Sequence, residues 1–171
     1  MRSVPLKNYI ICFVIIVLTV LLSFYIRDWY ITTKEYYAEN SPVKEVISEI
    51  KEDEISNYIL ENPKFAIYVS SEKNVSIKDF EGDFRDIIKK LEIQNNLLYL
   101  NSDDVNMENF ISDMKRNFGG KVNKFSSSSE ATLYVFENGK IVSVINDLNN
   151  YSSKNLKKLL ERFELWLMLF Y

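Results

Sequence analysis

The sequence contains no histidine and a single cysteine, Cys12. The first absence removes the commonest general base at neutral pH and the commonest neutral metal ligand. The second excludes an intrachain disulfide and any CxxC motif. Cys12 itself lies within an apolar run, where a thiolate is costly to form. Ser-His-Asp, Cys-His and His-based zinc chemistry are therefore excluded, and only carboxylate, Lys, Tyr, Ser or Thr chemistry stays open. An excess of one charge is also missing: 21 Lys+Arg against 24 Asp+Glu leave a formal net charge of −3. No basic stripe stands out, so no nucleic-acid partner is expected. Neither a cofactor nor a metal is expected.

What is present is apolar and aromatic. With 11 Phe, 11 Tyr and 2 Trp in 171 residues, a packed fold is expected rather than disorder. The run Tyr9–Ile26 carries no charge, proline or glycine. As a helix it rises roughly 27 Å, close to the hydrocarbon thickness of a bilayer. Tyr9 at one end, and Tyr25, Trp29 and Tyr30 at the other, suit the headgroup level. No small-x-small cleavage site follows the run, which argues against a signal peptide. Cys12 lacks the small residue and the position of a lipoprotein cysteine. A buried core helix is the remaining alternative, and the length and terminal place of the run count against it. Arg2, Lys7 and the amino terminus precede the run and Arg27 follows it. That balance favours a single-pass cell-membrane protein with its soluble domain on the extracytoplasmic side.

The expected division is residues 1–8 as flank, 9–26 as transmembrane helix, 27–42 as stalk, 43–163 as one domain and 164–171 as an apolar tail. Val43 to Ile50 alternates weakly and reads as a first short strand. Glu52-Asp53-Glu54 opens a helix over Ile55–Leu60, its acids suited to the dipole, and Asn62-Pro63 stops it. Phe65–Val69 and Leu97–Leu100 are continuous apolar runs and read as buried strands. Phe80, Phe84, Ile87, Ile88 and Leu91 form one apolar helical face with charges behind it. Met107, Phe110, Ile111, Met114 and Phe118 form another, closed by Gly119-Gly120. Ala131–Phe136 and Ile141–Ile145 flank Asn138-Gly139, which marks a β-hairpin with a type I′ turn. Ser152-Ser153 caps a last helix, Leu156–Leu165. The order β-α-β-α-β-α-β-β-α indicates an α/β fold, a mixed sheet covered by helices.

Over residues 43 to 163 this order resembles the thioredoxin fold. The segment Ala131-Thr-Leu-Tyr-Val-Phe-Glu-Asn-Gly-Lys-Ile-Val is similar to that family's Pro-Thr-apolar strand, Asn/Asp-Gly turn and second apolar strand. Tyr151 to Leu160 resembles its closing helix. The resemblance implies that the positions of the redox CxxC fall on Lys73, Asn74, Val75 and Ser76, and that the family's cis-proline falls on Ala131. Neither cysteine is present. A non-proline cis bond costs about 2.5–4 kcal/mol, so a trans bond is expected before Ala131. Thiol–disulfide exchange needs a thiolate, so the resemblance implies a redox-inactive member. The membrane segment plus thioredoxin-like domain is also the plan of bacterial thioredoxin-like accessory proteins associated with bacteriocin production.

Other readings stay open. Lys73 and Ser76 flank a helix start and form either an anion-holding or Ser-Lys catalytic pair, or a solvated lysine beside a capping serine. Asp103, Asp104 and Glu108 form either a weak cation site or dipole partners of a helix. The serines 126–129, beside Glu130, are either a peptide-contacting edge or a plain linker. In the tail, Trp166, Met168, Phe170 and Tyr171 form either a partner or membrane surface or a part of the core. The expectation is a membrane-anchored, non-catalytic binding module with a protein or peptide partner. The alternatives are a structural subunit of a membrane assembly and a thiol-independent enzyme.

Overall fold

The computed structural model describes residues 5–120, 122, 124–126 and 129–168. By internal contacts the chain forms two units, Met1–Tyr37 and Ala38–Tyr171. The first is helix α1, which runs Leu6–Glu39. Its segment Lys7–Thr33 is long and apolar enough to cross a membrane, and none of its most apolar stretch is buried within the structure. Every residue from Tyr9 to Ile26 is exposed, Cys12 included. The helix does not stop where the apolar run ends, so the stalk residues up to Glu39 are helical too.

The second unit is an α/β domain built on a five-stranded mixed sheet. The strands are β1 (Ser48–Glu49), β2 (Lys64–Ser70), β3 (Leu97–Asn101), β4 (Ala131–Glu137) and β5 (Lys140–Ile145). The helices are α2 (Ile55–Glu61), α3 (Lys78–Leu91), α4 (Met107–Phe118) and α5 (Ser153–Met168). The sheet order is β1-β3-β2-β4-β5. Strands β1, β3 and β2 run parallel, while β4 is antiparallel to β2 and to β5. This is the thioredoxin-like mixed sheet flanked by helices that the element order led one to expect.

The first strand differs from expectation. Residues Pro42–Glu45 form a 3-10 turn capped by Ser41, and only Ser48–Glu49 pair with β3. Val43 and Ile47 are four apart, a helical spacing that the weak alternation of this segment concealed, and both are buried.

Strand pleating sends neighbouring residues of β2 into different cores. Ala66 and Tyr68 join Phe84 and Ile88 of α3 and Leu156 and Leu160 of α5 on one face. Phe65, Ile67 and Val69 join Ile55 of α2 and Phe110 and Met114 of α4 on the other. Because both faces are covered, β2 reads as an unbroken apolar run. Phe65 stacks on Phe136 across the sheet at 4.6 Å between ring centroids. The hairpin turns at Asn138 and Gly139, with φ of 50° and 76°, as a type I′ turn requires. After α4, Gly120 takes the left-handed conformation with φ of 49°.

Candidate functional site

The parallel strands β2 and β3 end side by side, at Ser70 and Asn101. In open α/β sheets, ligands bind beyond the carboxyl ends of such strands. Here that end carries the loop Ser71–Ser76. The loop is tied down by its own polar residues. Ser71 Oγ donates to Asp103 Oδ1 at 2.8 Å, and the Lys73 backbone N–H donates to Asp103 Oδ2 at 3.1 Å. The Asn74 side chain accepts from the Ser76 N–H at 3.0 Å and from Ser76 Oγ at 2.7 Å. Asn74, not Ser76, is therefore the residue that caps the turn leading into α3. Ser76 Oγ also lies 3.4 Å from Glu130 Oε2, which takes a further bond from Asn149 Nδ2 at 2.8 Å. Val75 is left 67% exposed at the tip.

Ala131 opens β4 directly opposite Ser70 and is fully buried. Among the described residues no peptide bond is cis, so the bond before Ala131 is trans. Of the serines 126–129, Ser127 and Ser128 lie outside the described residues. Ser129 Oγ donates to the Ala131 carbonyl at 3.1 Å and accepts from the Asp147 N–H at 2.8 Å. Asp104 accepts from Asn101 Nδ2 at 2.9 Å. No three acidic or sulfur side chains among the described residues stand close enough to hold a metal ion. In the tail, Trp166 and Met168 continue α5, and Phe170 and Tyr171 lie outside the described residues.

A pocket of about 710 Å³ adjoins the loop, with Lys44, Glu49, Glu72, Asn101, Asp104 and Val105 among its lining. Lys44 Nζ sits 2.9 Å from Glu49 and 2.7 Å from Glu72. Burial pulls the Lys44 ammonium down, but the two carboxylates outweigh it and raise its pKa.

Beneath the loop lies a polar group that the sequence did not announce. Glu81 is fully buried. It accepts from Ser70 Oγ at 2.6 Å, Ser41 Oγ at 2.9 Å and the Tyr68 hydroxyl at 3.0 Å. Burial pushes its carboxyl up, against the opposing pull of those three hydroxyls and of Lys78. Lys78, one turn earlier on α3, is 9% exposed and donates to the Asn40 carbonyl at 2.9 Å. Burial lowers its pKa, against Glu81, Glu72 and Asp103. The Tyr99 hydroxyl donates to the Ser70 carbonyl at 3.2 Å. Lys78, Glu81, Phe84 and Ile88 share the buried stripe of α3. That three-and-four spacing was the available signal, and charge at its first two positions hid it.

No family model matches the chain, and no curated protein matches it. Among solved structures it is similar to one described as "A putative oxidoreductase with a thioredoxin fold". The two share 14% identity at a TM-score of 0.47, over 71% of this chain and 97% of that one.

Proposed function

We propose that this protein is a membrane-anchored, redox-inactive thioredoxin-like module that binds a protein or peptide for a neighbouring membrane complex, with its domain on the extracytoplasmic side. One observation carries the reading: the loop at the carboxyl end of β2, which includes Lys73, Asn74, Val75 and Ser76, contains no cysteine, and the thioredoxin resemblance implies the redox pair at these positions. Thiol–disulfide exchange has no nucleophile there. Ser76 Oγ donates to Asn74 at 2.7 Å and stands farther from Glu130, at 3.4 Å, and among the described residues no lysine bonds it to form a Ser-Lys pair. A loop braced to Asp103 and presenting Val75 is instead a preorganised edge, which lowers the ordering cost of binding. The adjoining pocket is within the size range of ligand sites and gives that edge depth. The exposed apolar face of α1 supplies the anchor.

The test is a detergent pull-down of the full-length protein from its native membrane, beside variants lacking residues 1–30 or 163–171 and a Val75→Asp variant. A specific partner lost with Val75→Asp or with the tail, and retained without the anchor, supports the binding module. A partner lost only with the anchor favours a structural subunit. No partner in any arm overturns both. Insulin-disulfide reduction by the purified protein would overturn redox inactivity. Protease shaving of intact cells that leaves the domain whole would overturn the orientation.

A further inference from the structure

We propose that Glu81 is a proton-operated clasp that couples the segment leaving α1 to the loop that follows β2.

The two oxygens of this carboxylate divide between two places in the chain. Oε2 takes Ser41 Oγ, two residues after the last residue of α1. Oε1 takes Ser70 Oγ and the Tyr68 hydroxyl, at the end of β2. Lys78, on the same helix, holds the Asn40 carbonyl. Residues 40 and 41 are thus each gripped by one side chain of α3. Ser70 is followed at once by Ser71, whose hydroxyl anchors the loop to Asp103. The Tyr99 hydroxyl also bears on both places, donating to the Ser70 carbonyl and interacting with the Ser41 side chain, but Glu81 supplies the carboxyl between them.

An amide at this position could fill the same hydrogen-bonding role without the cost of burying a charge. A carboxyl adds one property that an amide lacks, a dependence on proton activity. Burial, the larger influence, opposes the ionised form, while the Ser41 hydroxyl favours it; when Ser41 withdraws, the entry of water outweighs the lost donor and favours ionisation. Closing the clasp therefore takes up a proton, acid tightens it, and rising pH loosens it. The charged and titratable groups around it are Lys78 on α3, Tyr68 on β2 and Tyr99 on β3, with Glu72 on the loop acting on Lys78 and Tyr99. Lys78 favours the ionised carboxylate. Its own charge also feels Glu72 and Asp103. Both tyrosines are raised by burial and stay neutral through the range in question. Burial shifts both Glu81 and Lys78 towards neutrality, and the Cδ shift of Glu81 tells which of the two the pH response follows. The inference stands independently of the binding reading, since it needs no partner.

The experiment is amide hydrogen exchange on the full-length protein in nanodiscs from about pH 5 to about pH 8, corrected for intrinsic rates, alongside the ¹³C shift of Glu81 Cδ. Protection of residues 41–47 and 71–76 is expected to fall together as pH rises. The slope is at most about tenfold per pH unit, the limit for one proton. Its midpoint is that of the Cδ titration. In Glu81→Gln both segments are expected to lose this pH response. The proposal is overturned if Glu81→Gln keeps the wild-type response, or if the two segments move with different midpoints. A Cδ shift that stays flat across the range overturns it equally. Should Glu81→Gln fail to fold, the match between the wild-type Cδ and exchange midpoints decides.

Discussion

Ser70 Oγ stands 2.6 Å from Glu81 Oε1, joining the last residue of β2 to the buried face of α3. The distance is at the short end of the range for a hydroxyl donor, in a site shielded from water. The loop that follows β2 thus starts from a fixed point.

Ser70→Ala is expected to destabilise the domain by about 1–3 kcal/mol, the cost of leaving a buried acceptor short of a partner. Ser71→Ala, which removes an exposed bond to Asp103, is expected to cost about 1 kcal/mol or less. Urea unfolding of the detergent-solubilised protein, followed by far-UV circular dichroism, measures both. Equal losses would show that burial of the carboxylate does not amplify the first bond.

The pH dependence of stability follows from the raised Glu81 pKa. Its ordinary value is 4.5, and burial lifts it in the folded state. The folded protein therefore binds this proton more tightly than the unfolded chain. Its contribution to stability is complete below the unfolded value and is lost as pH rises through the folded value. The melting temperature of wild type, measured against Glu81→Gln, is expected to decline across that window and then level off. A difference that grows in the opposite sense would mean that the hydroxyl donors and Lys78 outweigh desolvation.

Two buried tyrosines are expected to respond oppositely to loss of their hydroxyls. Tyr68 donates to Glu81, so Tyr68→Phe, which leaves a buried acceptor short of a partner, is expected to cost about 1–3 kcal/mol. The Tyr134 hydroxyl has no hydrogen-bond partner among the described residues, and burial pushes its pKa up to about 12. Tyr134→Phe is expected to be neutral or stabilising, because it removes an unpaired polar atom. Urea midpoints of the two variants provide the comparison.

Two glycines separate local strain from helix propensity. A Cβ at Gly82, within α3, meets nothing within 4 Å, so Gly82→Ala is expected to stabilise by about 0.5–1 kcal/mol. Gly139 has φ of 76° in the hairpin turn. Gly139→Ala is expected to destabilise by about 1–2 kcal/mol, the cost of holding a Cβ in the left-handed region. Opposite shifts in melting temperature are the expected result.

The parts of this fold that were legible in the sequence are those set by local chemistry. Asn138-Gly139 favours its turn by local chemistry alone, and the unbroken run at Phe65–Val69, bounded by Pro63 and Ser70-Ser71, reads as a buried strand. Where tertiary contacts decide, the sequence said less. β1 is two residues held by pairing to β3, and no alternation could mark so short a strand. Glu81 and Lys78 looked like solvated helix charges. They are buried because Ser41, Asn40 and Tyr68 arrive from elsewhere in the chain to satisfy them. Lys73–Ser76 were found as a loop from the position of β2. The role of Asn74 as cap was missed because serine is an equally good cap by propensity.

Because α1 continues as helix past its apolar run to Glu39, the residues after Ile26 behave as a rod with a fixed pitch. Adding one residue there advances Tyr37 by about 1.5 Å but turns it by about 100° about the helix axis. Length and azimuth cannot be varied separately in such a spacer, so insertions and deletions preserve facing only when they come in about seven residues, near two full turns.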